Sequence, residues 1–329
     1  MRIKIFNQYL IPFLLGSSSV IAFAPFYFYP VIFLTITGLL FVVTIKGSAT
    51  TKSLIFGSGF FVTGIYWVYI CLEKFGGMPS FMALISTLAL CLFLALFFLP
   101  FALFKEYKNS IFFLPAFFTL VELLRSLIFT GFPWLSIGYT QVPHSPLIGY
   151  LPIIGIHGVS FLVLLSSVLI FHLFQKNSKK IYLIVFLIII WSAGQYLKSI
   201  EWSKPKGGLV DVSLIQGNIS QDKKWDKDMV EESLDHYKKL IINSNASLII
   251  LPETSMPIEY NQIPRKFMEE IKSHLMSIDG HLILGAIETG YYNSAFLIGN
   301  DLELVYRKNH LVPFGEFIPF EKYLGYIYK

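Results

Sequence analysis

Charged residues and cysteines are both scarce in this chain. Of its 329 residues, 14% are Asp, Glu, Lys or Arg and 54% are hydrophobic, and the mean hydropathy is +0.62. A soluble protein carries far more charge, so this composition excludes a single soluble domain and is typical of a membrane protein. The net charge is +5, but the basic residues are scattered and form no patch with interleaved aromatic residues. This distribution argues against a nucleic-acid partner.

The chain has two cysteines, Cys71 and Cys91. Their spacing matches no metal-binding motif. Both lie in apolar stretches, so we expect them to be buried and to pack as small hydrophobic side chains.

Long apolar stretches fill the first two hundred residues. Because a helix needs roughly 20 apolar residues to cross a bilayer, residues 1–203 are predicted to form a membrane domain with about seven transmembrane helices. The candidate spans are 8–24, 27–45, 54–72, 81–104, 111–129, 157–174 and 181–197. Pro25 and Pro30 separate the first two spans, so a tight turn and a re-entrant pair both remain open there. The opening MRIKIF and its apolar run lack a small-residue cleavage site and are interpreted as an uncleaved first span.

The basic residues of the short loops alternate between the two sides of the membrane. If the N-terminus is inside, the basic residues of the loops fall on that same side: Arg2, Lys4, Lys46, Lys52, Lys105, Lys108, Lys176, Lys179 and Lys180. The loop 130–156 on the other side has no charged residue. Since basic loops favour the cytoplasm, we expect a cytoplasmic N-terminus and an outside location for residues from about Lys204. Lys198, Lys204 and Lys206 are exceptions to the alternation.

Two charged residues lie inside the fifth predicted span. A charge at a helix centre costs roughly 2.5–3.5 kcal/mol, and the i, i+3 spacing of Glu122 and Arg125 allows an ion pair. A structural pair and a substrate contact are both open interpretations. The following loop, TGFPWLSIGYTQVPHSPLIGYLP, carries Trp134 and Tyr139, which suit a membrane interface. That loop either admits a lipid chain or caps the bundle.

Beyond residue 204 the pattern changes to short strands and amphipathic helices. Strand-like runs are LVDVSLIQG, SLIIL, HLILGA, YNSAFLIG and LELVYRK, and helices are predicted over DKDMVEESLDHYKKLIIN and about 264–277. This order predicts a layered α/β domain over residues 204–329. Glu253 follows the second strand and Lys308 follows the last one. Such strand ends often form active sites, so a shared pocket is one interpretation and two solvated strand ends are the other.

Several motifs resemble those of one family. They are QGNISQDKKW, LPETSMP, YYNSAFLIG and YRKNHLVPFGEFIPF in the polar part, and GFFVTGIYWVY, FGGMPS and TGFPWLSIGYTQ in the membrane part. Together they resemble the apolipoprotein N-acyltransferase family of bacterial envelopes, and KNHLVPFGEF is the most specific of them. Leu251 stands where members often have a tryptophan before the Pro–Glu pair.

The resemblance implies a nitrilase-like α-β-β-α sandwich, of the carbon–nitrogen hydrolase type, on the outer face of the cytoplasmic (inner) membrane. Members use a Glu–Lys–Cys triad to move an acyl chain from a phospholipid, through a thioester, to the α-amino group of a lipoprotein's diacylglyceryl-cysteine. The resemblance places the general base at Glu253 and the lysine at Lys308. It also places an important aromatic residue at Trp225 and an acid at Glu316, and it implies no cofactor and no metal.

The nucleophile of that family is a cysteine several dozen residues beyond the lysine, ahead of a last membrane span. Residues 204–329 contain no cysteine, and Cys71 and Cys91 precede the domain. We therefore expect a C-terminally truncated member that is poorly folded in its outer domain and inactive alone. The alternative is a catalytically dead membrane protein whose outer domain only binds lipid or lipoprotein. A transporter would need broken or polar helices in repeated halves, which the sequence does not show.

Overall fold

The computed structural model describes residues 6–176, 180–220, 224, 226–290, 292–299 and 301–312. The chain forms two compact units, Met1–Lys204 and Pro205–Lys329. The first is helical and the second is built around a sheet. The predicted fold class, a helical membrane part followed by an α/β domain, is confirmed.

The first unit consists of apolar helices joined by short turns. Its α-helices are α1 Ile11–Ser19, α2 Pro30–Thr44, α3 Ala49–Gly64, α4 Trp67–Ile70, α5 Ser80–Ala95, α6 Phe104–Tyr107, α7 Phe113–Arg125, α8 Leu151–Leu173 and α9 Lys180–Lys198. Tighter helical turns extend several of them, such as Leu96–Leu103 after α5 and Pro146–Tyr150 before α8.

Three helical stretches of the described chain are long and apolar enough to cross a membrane. They are Ser80–Tyr107, Pro146–Leu173 and Lys180–Lys198. A bent pair, Ala49–Gly64 with Trp67–Phe75, makes a fourth if its two parts are one span, and Gln8–Ala22 and Pro30–Thr44 are shorter apolar helices. Each of the seven predicted spans overlaps a helix, but the number of crossings stays a prediction.

Close backbone contact holds α1 against α3. A side chain on Gly16 would collide with the backbone of Phe56, and one on Gly59 with the backbone of Phe13. The two helices therefore touch along a line that only glycines can occupy.

Lys52 is fully buried at the start of α3. Its ammonium group donates to the carbonyl oxygens of Val42 at 2.7 Å, Ile45 at 3.0 Å and Lys46 at 3.2 Å. Val42 lies in the last turn of α2, and Ile45 and Lys46 follow that helix directly. Lys52 therefore places its positive charge at the carboxyl end of α2, where a cation is favourable.

The second unit contains a mixed sheet and two helices. Its described strands are β1 Val212–Leu214, β2 Leu248–Ile250, β3 Met256–Glu259, β4 His281–Glu288, β5 Tyr292–Ile298 and β6 Leu302–Arg307, with helices α10 Val230–Ile242 and α11 Arg265–Ser277. The sheet order is β1-β2-β4-β5-β6, and β3 pairs with β4. β1, β2 and β4 are parallel, whereas β4, β5 and β6 are antiparallel.

Amphipathic packing explains this unit. One face of each helix buries apolar side chains, such as Ile241 from α10 and Ile271 from α11, against strand residues that include Ile249 and Leu282. Because β1, β2 and β4 are parallel, their carboxyl ends lie at the same edge of the sheet. Binding sites of such folds form at this edge.

Candidate active site

Glu253 lies at that edge, three residues after β2 ends at Ile250. The chain then turns sharply, because Thr254 adopts a left-handed conformation with φ +50°. The hydroxyl of Ser255 donates to the carbonyl oxygen of Gly285 at 2.9 Å, and β3 begins at Met256. Thus the turn that carries Glu253 is attached to β4.

Gly285 allows this attachment. A Cβ atom at that position would lie 2.5 Å from the carbonyl oxygen of Pro252, 2.9 Å from the nitrogen of Thr254 and 3.1 Å from Cα of Glu253. All three are backbone atoms that cannot rotate away. The missing side chain therefore sets how closely Glu253 approaches the sheet.

Lys308 contacts Glu253 from the end of β6. It follows β6, and its backbone N–H donates to the carbonyl oxygen of Asn293 on β5 at 2.8 Å. Its ammonium group donates to Oε1 of Glu253 at 3.0 Å. The Lys308 side chain is 25% exposed and that of Glu253 is 62% exposed. The structure thus brings the two charged strand-end residues together while leaving the carboxylate accessible.

Asn293 is a third member of this site. Its side-chain amide donates to Oε1 of Glu253 at 2.5 Å, the same oxygen that Lys308 contacts. Two donors on one oxygen fix the plane of the carboxylate and so aim its second oxygen. The sequence interpretation did not single out Asn293, although it lies in the quoted motif YYNSAFLIG.

A second ion pair stabilises the hairpin that carries Lys308. Arg307 donates through Nε to Oε2 of Glu288 at 2.7 Å and through Nη2 to Oε1 at 2.5 Å. The guanidinium carbon also lies 4.9 Å from the ring centre of Tyr292. The hydrogen bonds from Arg307 hold the pKa of Glu288 below its usual value.

A cleft of about 400 Å³ opens beside Glu253. Its lining includes Gln216, Gly217, Asn218, Lys224, Tyr237 and Glu253. The ammonium group of Lys224 donates to the backbone carbonyl oxygen of Glu253 at 3.4 Å. Partial burial lowers the pKa of Lys224, and the charge of Glu253 opposes this shift.

Glu122 and Arg125, the charged pair of the first unit, are both buried. Their side chains lie 3.8 Å apart. Arg125 donates to the carbonyl oxygens of Phe132 at 3.0 Å and Trp134 at 2.6 Å, and Glu122 accepts the N–H of Ile137 at 2.7 Å. Both charges therefore bind the loop that follows α7, which favours the structural interpretation of the pair.

Two predicted site residues, Trp225 and Glu316, lie outside the described residues. Cys91 is buried as expected, but the expectation is wrong for Cys71, which is exposed at the start of the segment Cys71–Phe75. The wide π-helical turn there follows a bent helix, so this segment does not pack inside the bundle. Within the described ranges, no three His, Cys, Asp or Glu side chains lie close enough to hold a metal ion.

Comparison with known proteins covers both units. Residues 15–169 match the family model of the apolipoprotein N-acyltransferase N-terminal domain. Residues 211–329 match the carbon-nitrogen hydrolase family model. The second match contains Glu253, Asn293 and Lys308.

Curated relatives align with nearly the whole chain. An apolipoprotein N-acyltransferase of Nitrosomonas europaea is 38% identical over 96% of this chain and 66% of the relative. Proteins of the same name from Wigglesworthia glossinidia brevipalpis and Pasteurella multocida are 35% and 33% identical, over 95% and 98% of this chain and 66% and 67% of their own lengths. The chain thus spans about two thirds of the length of these relatives. Since these matches run through both units, the chain belongs to the apolipoprotein N-acyltransferase family.

Proposed function

We propose that this chain carries the base and the lysine of an acyltransferase that moves an acyl chain from a phospholipid to an apolipoprotein. The acceptor is the N-terminal amino group of S-diacylglyceryl-cysteine, and the transfer runs through a thioester. The observation that carries the proposal is the contact of Lys308 and Asn293 with one oxygen of an exposed Glu253. The names of the relatives support the reaction class.

In the first half-reaction, Glu253 takes the proton of a cysteine thiol, because the thiolate is the nucleophilic form. The sulfur attacks the ester carbonyl carbon of the phospholipid, and Lys308 stabilises the negative charge that develops on the carbonyl oxygen. The bond between that carbon and the ester oxygen then breaks. The proton held by Glu253 passes to this oxygen, and the lysophospholipid leaves.

In the second half-reaction, the amino group of the acceptor attacks the thioester carbon. Glu253 takes a proton from the nitrogen, and Lys308 again stabilises the developing oxyanion. The carbon–sulfur bond breaks to form the amide, and the proton returns to the sulfur. An exposed carboxylate suits this sequence, since a thiol and an amine must both reach it in turn.

The thiol of this mechanism is not among residues 205–329, which contain no cysteine. Cys71 and Cys91 belong to the first unit. We therefore propose that the 329 residues alone form no acyl-enzyme. The second candidate function, left open by the sequence, is a membrane protein whose outer domain only binds lipid or lipoprotein.

A chimera separates the two candidates. In it, residues 1–329 are followed by the C-terminal part of the Nitrosomonas europaea relative that lies beyond the matched region. We expect labelled phospholipid to acylate the chimera covalently and a diacylated lipopeptide to gain a third acyl chain, measured by mass spectrometry. Acyl transfer by the 329-residue chain itself would show that the nucleophile lies within these 329 residues, contrary to the proposal. An inactive but folded chimera would favour the binding protein.

The proposed location is the bacterial cytoplasmic membrane, with the second unit on the periplasmic, outer face. The proposed domain limits are 1–203 and 204–329. The alternating basic loops support the proposed orientation. Lys198, an apparent exception, donates to the carbonyl oxygens of Pro143 and His144 at 3.0 and 3.2 Å. These hydrogen bonds give Lys198 a structural role that explains a basic residue on the outer side. Reporter fusions at Lys179 and Asp235 should give opposite signals, and equal signals would refute this topology.

A further inference from the structure

We infer that the cleft lined by Lys224 binds the phosphate group of the glycerophospholipid donor. The inference rests on the proposed function, since it assigns a place to one part of that substrate. The cleft adjoins Glu253, so a molecule that reacts there extends directly into it.

Lys224 brings a positive charge to the cleft. Lys224 is half-buried, and partial loss of water lowers its pKa because the charged form is less well solvated there. A bound anion would add to the stabilisation that the charge of Glu253 already gives the ammonium group. A phosphate diester keeps its negative charge at neutral pH, and its attraction to an ammonium group strengthens where water is partly excluded.

Polar side chains line much of the cleft. Gln216 and Asn218 expose amide side chains at the cleft, and amide groups can donate hydrogen bonds to phosphate oxygens. An acyl chain would gain little in such surroundings, because the polar groups would lose water without new partners. The cleft therefore suits the head of the lipid and not its tail.

Two lysines contact Glu253. Lys224 contacts the backbone carbonyl of Glu253, and Lys308 contacts its carboxylate. The two ammonium groups thus contact opposite ends of one glutamate. In a glycerophospholipid, the ester carbonyl carbon and the phosphorus are separated by about as many bonds as those two ends. With the ester at Lys308, the phosphate falls near Lys224.

The test measures binding and needs no catalysis. The chimera, solubilised in detergent, is titrated with sn-glycero-3-phosphoethanolamine, the deacylated head of the lipid. Binding is followed by broadening of the ³¹P resonance. Loss of one charge-assisted contact should weaken binding at least about tenfold in Lys224→Gln. Lys224→Arg should keep most of the affinity, because it retains the positive charge.

Lys238→Gln is the matched control. Lys238 lies on α10 and pairs with Asp235 and Glu270, so its loss should leave the probe's affinity unchanged. Thermal unfolding of each variant shows that the second unit remains folded. If Lys224→Gln were unfolded, the Arg variant would still decide, since loss of binding in a folded Lys224→Arg overturns a charge-based site.

Inorganic phosphate forms the second arm of the titration. Binding of the glycerol phosphodiester that depends on Lys224 and is displaced by micellar phosphatidylethanolamine supports a lipid-head site. Binding of inorganic phosphate without the diester overturns it in favour of a free-anion site. Equal affinity in wild type and Lys224→Gln overturns it altogether. Failure of acyl transfer in the chimera with intact diester binding would refute the proposed function and leave this site standing.

Discussion

The ammonium group of Lys308 lies 3.0 Å from Oε1 of Glu253, although 55 positions separate the two residues. Two strand ends bring them together, since β2 leads to Glu253 and β6 ends directly before Lys308. Asn293 on β5 donates to the same oxygen and accepts the N–H of Lys308. The pair therefore depends on the pairing of β2, β4, β5 and β6 and not on local sequence.

The two members of the pair should differ in their effects when replaced in the chimera. Glu253→Gln keeps the shape but removes the base, so thioester formation and transfer to the amine should both fail. Lys308→Met keeps much of the apolar stem and removes the charge beside the oxyanion. We expect it to slow acyl-enzyme formation roughly 10²–10³-fold while phospholipid still binds. The burst of acyl-enzyme from labelled phospholipid measures both variants.

Matched controls for these variants lie on the exposed surface of α10. Glu232→Gln and Lys239→Met make the same chemical changes at exposed positions and should leave the burst intact. An unchanged burst in Lys308→Met would show that Lys308 is only a solvated strand end.

Asn293→Ala should lower kcat without a matching change in KM. The substitution removes one of the two donors on Oε1 of Glu253, so the carboxylate is less well oriented toward the thiol and the amine. Misplacement of a reacting group costs up to about 10²-fold in rate, and we expect about tenfold or more. Steady-state kinetics of the chimera measure the effect. A variant with unchanged kcat, or with a loss explained by a lower melting temperature, would contradict a positioning role.

Gly285→Ala should destabilise the second unit and displace Glu253. The new Cβ would lie 2.5 Å from the carbonyl oxygen of Pro252, so the turn must move. Overpacking of this kind typically costs about 1–3 kcal/mol in the free energy of unfolding. Gly208→Ala is the control, because a Cβ there meets no atom within 4 Å. Equal thermal stability of the two variants would refute the proposed close approach.

The charged members of the site were predictable from the sequence, whereas their surroundings were not. Glu253 and Lys308 each follow a recognisable strand. β2 and β6 run in the same direction, since two antiparallel pairings separate β6 from β4, so their carboxyl ends lie at the same edge of the sheet. Asn293 carries no comparable signal, because a single amide inside a strand acquires its partner only through the register of the sheet. Gly285 likewise cannot be distinguished in the sequence from any other glycine in a strand.

Two other features of the structure differ from what the sequence predicted: the strand β3 and the burial of Lys52. β3 was not predicted, because it has only four residues, Met256–Glu259, and includes a proline. Lys52 was assigned to a basic loop, yet it is buried and caps α2. Its side chain finds three carbonyl oxygens that belong to residues six to ten positions earlier. A charge count cannot reveal such a tertiary contact.

The stability of the second unit should depend on pH through Glu288. The pKa of Glu288 is lowered in the folded state, chiefly by the hydrogen bonds from Arg307. The stabilisation is therefore present above the ordinary pKa of 4.5 and is lost as the pH falls through the lower folded value. Glu288→Gln should lower the melting temperature at pH 7, and the difference from wild type should shrink on acidification. A difference that stays constant down to pH 3 would contradict this assignment.

The buried pair in the first unit should show strong coupling in a double-mutant cycle. Arg125→Leu leaves the buried carboxylate of Glu122 without its cation, which typically costs about 3–5 kcal/mol. It also removes donors from the carbonyl groups of Phe132 and Trp134, so the loop after α7 should loosen. Glu122→Leu leaves the guanidinium group without its counter-charge in the same way.

The double variant Glu122→Leu/Arg125→Leu leaves neither charge buried. Its loss in the free energy of unfolding should therefore be smaller than the sum of the single losses, with a coupling of about 0.5–3 kcal/mol. Chemical unfolding in detergent measures the cycle. Additive losses would mean that the two side chains, 3.8 Å apart, hold the loop independently. Each would then act through its own backbone contacts, and the ion pair itself would contribute nothing.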